Sequence, residues 1–138
     1  MERLAKVLLL AFAITGVCRA QYSEQYGRCM DKAGTQTAMH MCAGEEARRT
    51  DAELNNVYQK LLLAASNQPS GVEKIKVAER AWISYRDAYI NAMYPAEDKI
   101  AAYGSIFPTE ADLLRIRLTQ QQILALKELL KQYGDSKP

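Results

Sequence analysis

Apolar residues recur every three or four positions through most of the chain, which is the period of a helix packed on one side. No segment keeps the alternation of apolar and polar residues that a half-buried strand needs. The pattern predicts an all-α fold, an antiparallel bundle of three long helices with a short helix in front. The predicted buried stripes are Leu54, Val57, Tyr58, Leu61 and Ala65; Ile75, Ala78, Trp82, Tyr85 and Tyr89; and Ile116, Ile123, Leu126 and Leu130.

The first two helical segments are expected to meet at a tight bend. A short helix over residues 22–33 should stop at Gly34, and the first long helix should begin at Thr35 or Thr37. Residues 66–71 contain Ser, Asn, Pro and Gly, which makes them the clearest turn in the chain. The second long helix is predicted to follow this turn.

A segment bounded by two prolines separates the last two long helices. Pro95 marks the end of the second helix, and residues 95–108 are predicted to form a loop. Thr109, followed three residues later by Asp112, is an N-cap signature for the last helix. Gly134 is expected to close that helix and to leave residues 134–138 as a polar tail.

The N-terminal segment has the layout of a secretory signal peptide. Arg3 and Lys6 precede an apolar run over residues 7–17, which is too short to span a membrane. Small residues at Cys18 and Ala20 predict cleavage after Ala20, so that residues 1–20 are removed and residues 21–133 form the folded domain. The alternative is lipoprotein processing at Cys18, although Val17 is larger than the small residue that usually precedes a lipidated cysteine.

Removing this leader changes the charge balance. The whole chain has 18 Lys plus Arg and 16 Asp plus Glu, and the leader contains Arg3, Lys6, Arg19 and Glu2, so 15 of each remain. A neutral chain does not hold nucleic acid or an anionic membrane by bulk charge. The remaining 118 of the 138 residues suit one domain, and no later apolar run is long enough to span a bilayer.

The cysteine count changes as well. Loss of Cys18 leaves Cys29 and Cys42, an even pair separated by 13 positions in the oxidising compartment that the leader implies. We therefore predict a disulfide between them. Closing a loop of this size should stabilise the fold by roughly 3 kcal/mol, because it restricts the unfolded chain.

A copper site is the alternative use of the same stretch. His40 lies among methionines, and thioether ligands select Cu(I). His40 is the only histidine of the chain, however, and methionines near a helical turn usually fill cores. The expectation is therefore no metal and no cofactor. The methionines concerned are Met30, Met39 and Met41.

The motifs of common enzyme classes are absent from the sequence. The histidine has no nucleophile beside it, and the metalloprotease, nucleophile-elbow and phosphate-loop motifs are missing. Carboxylates are frequent, but nothing singles out two of them as a glycosidase pair. The protein is therefore not expected to be an enzyme.

Two longer segments resemble a known family. "CAGEEARRTDAELNNVYQKLL" and "VAERAWISYRDAY" look like the signature of the LprI-like lysozyme inhibitor family, small exported helical proteins of bacteria. "GSI" at residues 104–106 and "RLTQQQILAL" at residues 117–126 are similar to the closing segment of that family. The motif positions are Cys42, Glu46, Asp51, Glu53, Leu54, Asn55, Tyr58, Ala81, Trp82, Tyr85, Arg86 and Asp87.

The sequence departs from the family pattern at a few positions. Family members often have glutamine where this chain has Glu79, and arginine where it has Gln121 or Gln122. Many also carry a second cysteine pair at places corresponding to Ile90 and Leu114. Because both of those cysteines are missing together, the resemblance implies a single disulfide here.

The motif residues are expected to serve mainly as scaffold. Trp82 should bury a large area in the bundle core. Arg86 lies one turn later, and we expect Asp51 or Glu53 to hold its guanidinium while Asn55 satisfies remaining polar groups. Loss of Arg86 should then destabilise the fold without removing a contact to a partner.

The resemblance implies binding and inhibition of host or competitor lysozyme in the bacterial envelope. The other hypothesis is an adaptor or immunity module for a different partner, since a helical bundle is only a platform. The expected contact surface is the segment of residues 95–108 with its flanks, which is long for a bundle loop. The alternative is that its aromatic rings pack on the helix ends. Its candidate contact residues are Tyr94, Glu97, Asp98, Tyr103, Phe107 and Glu110.

Overall fold

The computed structural model describes residues 22–135, which form five α-helices and no strand. The predicted all-α fold is confirmed. The predicted leader, residues 1–20, and residues 136–138 of the predicted tail lie outside the described part of the chain. The helices are α1 (Glu24–Lys32), α2 (Gln36–Ala64), α3 (Pro69–Met93), α4 (Lys99–Tyr103) and α5 (Phe107–Asp135).

The helices α2 and α5 form the spine of the bundle and pack on each other along most of their length. They run parallel. Asp112, near the start of α5, lies 3.4 Å from His40, and Lys127, further along, lies 2.7 Å from Glu53. The helix α3 connects the two in the opposite direction and packs mainly on α5. The result is an up-down-up bundle in which α3 is the outer helix.

The buried apolar residues form three clusters along the spine. The largest joins α2, α3 and α5 next to the turn between α2 and α3. A second joins Ile90 of α3 to α5, and a third packs Tyr26 of α1 against Cys42 and Ala43 of α2. The stripes predicted for α2 and α5 are confirmed, with Tyr58 and Leu130 only half-buried. The largest cluster consists of Leu54, Val57, Leu61, Ala65, Ile75, Ile123 and Leu126.

The stripe predicted for α3 is wrong for most of its members. Ile75 is buried and Trp82 is half-buried, but the rest of the stripe faces solvent. The buried side of α3 lies further round the helix and includes Glu79 and Ile90. The reason is that α3 has apolar residues on two sides, while the spine covers only one of them. The exposed members of the predicted stripe are Ala78, Tyr85 and Tyr89.

Three helix ends test the boundary predictions. Thr35 is the N-cap of α2, and its Oγ1 accepts a hydrogen bond from the Ala38 N–H at 3.1 Å, which confirms one of the two predicted starts. The helix α3 begins at Pro69, inside the predicted turn, because the first helical position does not need the N–H that proline lacks. The last helix does not end at Gly134 but continues to Asp135.

The segment predicted as a loop contains a helical turn of its own. The Asp98 carboxylate caps α4 by accepting from the Ala101 N–H at 2.9 Å. Gly104 follows with φ of 76°, a left-handed conformation that glycine adopts readily. The chain between α3 and α5 is therefore a capped and closed unit.

The start of α5 also differs from the prediction. The helix begins at Phe107, so Pro108 lies in its first turn, where a missing N–H costs nothing. Thr109 is consequently buried inside the helix and is not the N-cap. The sequence signature was misleading because the proline starts the helix before the threonine is reached.

The predicted disulfide is confirmed. Cys29 of α1 and Cys42 of α2 are bonded, with their Cα atoms 5.7 Å apart. The bond fastens α1 across the bend to the start of the spine. Among residues 22–135, none of the helices is long and apolar enough to cross a membrane.

Candidate functional site

An open groove of about 320 Å³ lies between α2 and α3 and gathers half of the family motif. The motif residues come from two segments that are more than 20 positions apart in sequence, and antiparallel packing brings them to the same level. Two cations of α3, Lys76 and Arg80, also line the groove. The motif residues that line it are Asp51, Leu54, Asn55, Tyr58, Trp82 and Arg86.

Arg86 is held over the Trp82 ring at one end of this groove. Its guanidinium carbon lies 5.2 Å from the ring centre, which is cation–π geometry. Its Nε donates to Asp87 at 2.9 Å, and its Nη1 lies 3.9 Å from the Asp51 carboxylate. Only 16% of the Arg86 side chain is exposed. The guanidinium therefore covers one face of the tryptophan and has its charge balanced on both sides of the groove.

Glu79 lies on the inner side of α3 beside the groove. It is buried, and its carboxylate accepts a hydrogen bond from the Gln122 amide of α5 at 2.7 Å. Burial and the nearby Glu79 charge raise the pKa of Tyr58 above its usual value. Two positions at which the chain departs from the family pattern are thus in direct contact, which no spacing in the sequence indicates.

Several residues of this part of the motif are open to solvent. Glu53 does not reach Arg86 but pairs with Lys127 of α5 at 2.7 Å. Asn55, Tyr85 and Asp87 are exposed. The motif thus combines residues that pack α3 onto the bundle with residues that are open to solvent.

Glu46, the motif acid one turn after Cys42, ties α1 to α2. Its carboxylate accepts from the Ser23 N–H at 2.7 Å and from the Ser23 hydroxyl at 2.6 Å. Arg49 donates to the same carboxylate from Nε at 3.0 Å and from Nη2 at 2.8 Å. Burial alone would raise the pKa of Glu46, but these hydrogen bonds outweigh it and hold the pKa below its usual value. Ser23 is also the N-cap of α1, so one buried carboxylate fixes the start of that helix.

The turn between α3 and α5, residues 94–107, carries the predicted partner contacts; we call it the aromatic turn. Its three rings pack on one another. Tyr94 meets Tyr103 and Phe107 edge to face, with ring centres 5.3 and 5.1 Å apart, and both Tyr94 and Phe107 pack against the cluster around Ile90. The Tyr103 hydroxyl accepts from the Ala96 N–H at 3.1 Å. The rings are half-buried and form the interior of the turn.

Lys99, which sequence reasoning did not single out, binds main-chain carbonyl groups of the aromatic turn. Its ammonium donates to the carbonyl oxygens of Tyr94 at 2.6 Å and Ala96 at 2.9 Å. These carbonyls lie just after the end of α3, where a cation satisfies otherwise unpaired acceptors. No local signal in the sequence distinguishes this lysine from other surface lysines.

The acidic residues of the aromatic turn and of its flank in α5 are open to solvent. Glu97, Asp98 and Glu110 are exposed, and Asp98 also caps α4. Burial raises the pKa of Tyr94, as do the charge of Glu110 and a hydrogen bond to its carboxylate. The predicted contact residues are therefore brought together, with the carboxylates outside and the aromatic rings within.

The stretch around His40 carries the residues of the alternative copper site. His40 lies on α2 next to Asp112 of α5, and Met41 is 65% exposed. The two cysteine sulfurs bond to each other. Across residues 22–135 there is no group of three or more His, Cys, Asp or Glu side chains arranged to hold a metal ion.

Fold and site together define a class of protein: a small all-α domain stapled by one disulfide, with a motif groove on one side and a closed aromatic turn at one end. The chain belongs to the family described as lysozyme inhibitor LprI, whose sequence profile matches residues 29–126. The match begins at the first cysteine of the staple and ends well into α5, so it spans the packed bundle.

One relative extends the likeness over nearly the whole chain. It is a protein of Rhizobium meliloti (strain 1021) that is described as uncharacterized. The two sequences are 32% identical over an aligned region of 143 residues, gaps included, which covers 95% of this chain and 97% of the relative. No solved structure matches the chain significantly.

Proposed function

We propose that this protein binds a lysozyme in the bacterial envelope and inhibits it by occupying its surface, without chemistry of its own. The observation that carries the proposal is the family match over residues 29–126, because the family is described by this activity. The fold is compatible with it: a stapled bundle with packed turns can present a preformed surface, which lowers the entropic cost of binding.

The proposed contact surface is the aromatic turn with its flanks. Lysozymes are generally cationic, and Glu97, Asp98 and Glu110 give this end of the molecule three outward carboxylates. Asp98 is held by capping α4, and the Glu110 carboxylate hydrogen-bonds with Tyr94. Complementary charge of this kind acts on the association rate and on specificity.

A lysis assay tests the activity. Lysozyme is added to a cell-wall suspension with increasing amounts of the purified protein, and lysis should slow as the protein approaches equimolar amounts. Unchanged lysis at a large molar excess would exclude inhibition of that lysozyme. A direct titration by calorimetry in parallel would distinguish binding without inhibition from no binding.

Charge-neutral variants test the contact surface. Glu97→Gln combined with Glu110→Gln keeps the size of both side chains, and the new amides can still accept hydrogen bonds. Inhibition should weaken about tenfold and lose salt dependence, whereas the control Glu128→Gln on exposed α5 should behave as the parent. Equal inhibition by all three proteins would place the contact elsewhere.

We also propose export through the segment of residues 1–20, with cleavage after Ala20. The support is the order of basic, apolar and small residues in that segment. N-terminal sequencing of the protein from a periplasmic extract should begin at Gln21. A blocked N-terminus with lipid on Cys18 would instead identify a lipoprotein.

A further inference from the structure

A cleft of about 430 Å³ lies between α2 and the first turns of α5; we call it the charged cleft. It follows α2 from His40 to Asp51, which is about 16 Å along the helix axis. Asp112 and Arg115 of α5 line it from the other side. No residue of the aromatic turn lines this cleft, and it shares only Asp51 with the motif groove. It is therefore a separate site.

The guanidinium groups of the charged cleft are only loosely paired. Arg115 Nη1 lies 3.6 Å from Asp112, and Arg115 Nε is buried without a hydrogen-bond partner among residues 22–135. Arg48 Nη2 lies 3.7 Å from Glu45. These distances exceed the roughly 2.7 to 2.9 Å of a charge-assisted hydrogen bond. Both arginines therefore retain donors for an added oxyanion, and a guanidinium matches a carboxylate best.

Gly44 leaves the main chain of α2 open to the charged cleft. It lies inside the helix and has no positive φ. A Cβ at this position would meet only the Asp112 carboxylate, at 3.6 Å, which is an ordinary contact. Glycine inside a helix is destabilising relative to alanine, and neither strain nor crowding requires it here. The missing side chain does, however, allow a ligand to approach the main chain closely.

The charges of the cleft select a ligand that carries both signs. Among its lining residues, three carboxylates stand against two guanidinium groups, so a simple anion would meet repulsion as well as attraction. We propose that the charged cleft binds a short zwitterionic peptide, extended along α2, with its carboxylate on Arg115 and its ammonium on Asp51. The Asp51 side chain is 43% exposed, and its ion pair with Arg86 is 3.9 Å long. An extended tripeptide spans about 10 Å, which the cleft accommodates.

Titration of the isotope-labelled protein with trialanine, followed by NMR, tests the proposal. The amide signals of Gly44 and Arg115 should shift and saturate, with a Kd of about 1 mM or below. Acetyl-trialanine lacks the ammonium and trialanine amide lacks the carboxylate, so each should bind about tenfold more weakly. No saturable shift with about 20 mM trialanine would overturn the proposal. Equal binding of the three peptides, or of acetate, would do the same.

Two pairs of variants test the positions of the peptide charges. Arg115→Gln should weaken trialanine binding about tenfold, whereas Arg117→Gln, in the same helix but outside the cleft, should bind as the parent. Asp51→Asn should weaken binding about fivefold or more. Asp87→Asn is its control, because both carboxylates lie next to Arg86 but only Asp51 lines the cleft. Circular dichroism should show equal helicity in the four variants, and equal binding within either pair would contradict the proposal.

Gly44→Ala separates a binding role from a structural one. Alanine favours the helix, so the thermal midpoint should rise by about 2 to 5 °C. The added methyl group narrows the cleft and should weaken trialanine binding about threefold or more. Gly27→Ala in α1, where an added Cβ has no neighbour within 4 Å, should raise the midpoint similarly and leave binding unchanged. A Gly44→Ala protein that binds trialanine as tightly as the parent would overturn the proposed position of the peptide.

Discussion

The helices α2 and α3 are similar in length, and both carry many apolar residues, but the fold uses them differently. The helix α2 buries one continuous side against α5 and is joined to α1 by a disulfide and by the buried Glu46 carboxylate. The helix α3 packs mainly on α5 by a narrow strip and leaves the large side chains of Val77, Tyr85 and Tyr89 exposed to solvent. The helix α2 is held by a disulfide near its start and by burial along its length, whereas α3 packs on the outside of the bundle.

This difference separates stability from recognition. Most of the buried apolar area lies along α2 and α5, and the covalent bond joins α1 to α2, so most of the folding free energy should come from these helices. The motif groove and the aromatic turn both involve α3 or its C-terminal end. The surfaces considered for partner contact therefore involve the long helix that contributes least to the core.

The largest expected effect is at the spine. Leu61 of α2 has no solvent exposure, and Leu61→Ala should lower the free energy of unfolding by about 3 to 4 kcal/mol through lost burial and the cavity left behind. Leu63, two positions along the same helix, is 74% exposed, and Leu63→Ala should change it by less than about 0.5 kcal/mol. Urea unfolding followed by circular dichroism measures both. Similar losses at the two positions would contradict the packing of α2.

The second largest effect on the free energy of unfolding is expected from loss of the disulfide. Replacing both Cys29 and Cys42 by alanine should cost about 3 kcal/mol, because the unfolded chain regains the freedom of the closed loop. The parent protein in a thiol reductant should match the double variant. Hydrogen exchange should show early loss of protection in α1, while amides in the buried half of α3 keep theirs. Uniform loss along the chain would show that the two regions are not distinct.

The sequence alone predicts the spine well and α3 poorly, for the same physical reason. In α2 and α5 most of the large apolar residues lie on one side, and the periodicity identified that side correctly. In α3 two apolar sides compete, and only tertiary packing chooses between them. The disulfide was predictable because the expected loss of residues 1–20 leaves a single pair of cysteines.

The site is less accessible to sequence reasoning than the fold. The motif identified Glu46, but its partners Ser23 and Arg49 depend on how α1 folds back across the bend. Lys99 binds a main-chain carbonyl at the end of α3, and Gln122 binds Glu79 of another helix. Neither contact is indicated by a pattern in the sequence. The N-cap assigned to Thr109 failed because Pro108 also fits inside the first turn of a helix. Local patterns predict helices, whereas polar contacts between helices need the packed structure.

The buried Glu46 carboxylate should make a smaller, pH-dependent contribution to the free energy of unfolding. Glu46→Gln should cost about 2 kcal/mol at neutral pH, since it weakens charge-assisted hydrogen bonds from Ser23 and Arg49. The pKa of Glu46 is lowered by folding, so its stabilisation is complete above the usual value of 4.5 and is lost as the pH falls through the lowered value.

Urea unfolding at several pH values checks this prediction. The parent should lose stability more steeply than Glu46→Gln between about pH 5 and pH 3, and the two should converge in acid. Glu45→Gln is the matched control, since that side chain is 54% exposed and its pairs with Arg48 and Arg49 are long. It should change stability by no more than about 0.5 kcal/mol. The same difference in the free energy of unfolding between the parent and Glu46→Gln at every pH would contradict stabilisation by the charged Glu46 carboxylate.

The smallest effect on the free energy of unfolding is expected for a substitution in α3. This substitution tests whether the residues of the motif groove are structural. Arg86→Ala should lower the free energy of unfolding by about 1 kcal/mol, because the guanidinium packs on Trp82 and balances Asp87. Arg80→Ala, on the same helix with a side chain 65% exposed, should change it by less than about 0.5 kcal/mol. Thermal unfolding of the two variants measures the difference. Because Arg86 is largely covered, the folded Arg86→Ala variant should still slow lysis as the parent protein does. A variant with an unchanged free energy of unfolding but without inhibition would show instead that Arg86 contacts the partner and that α3 is the binding helix.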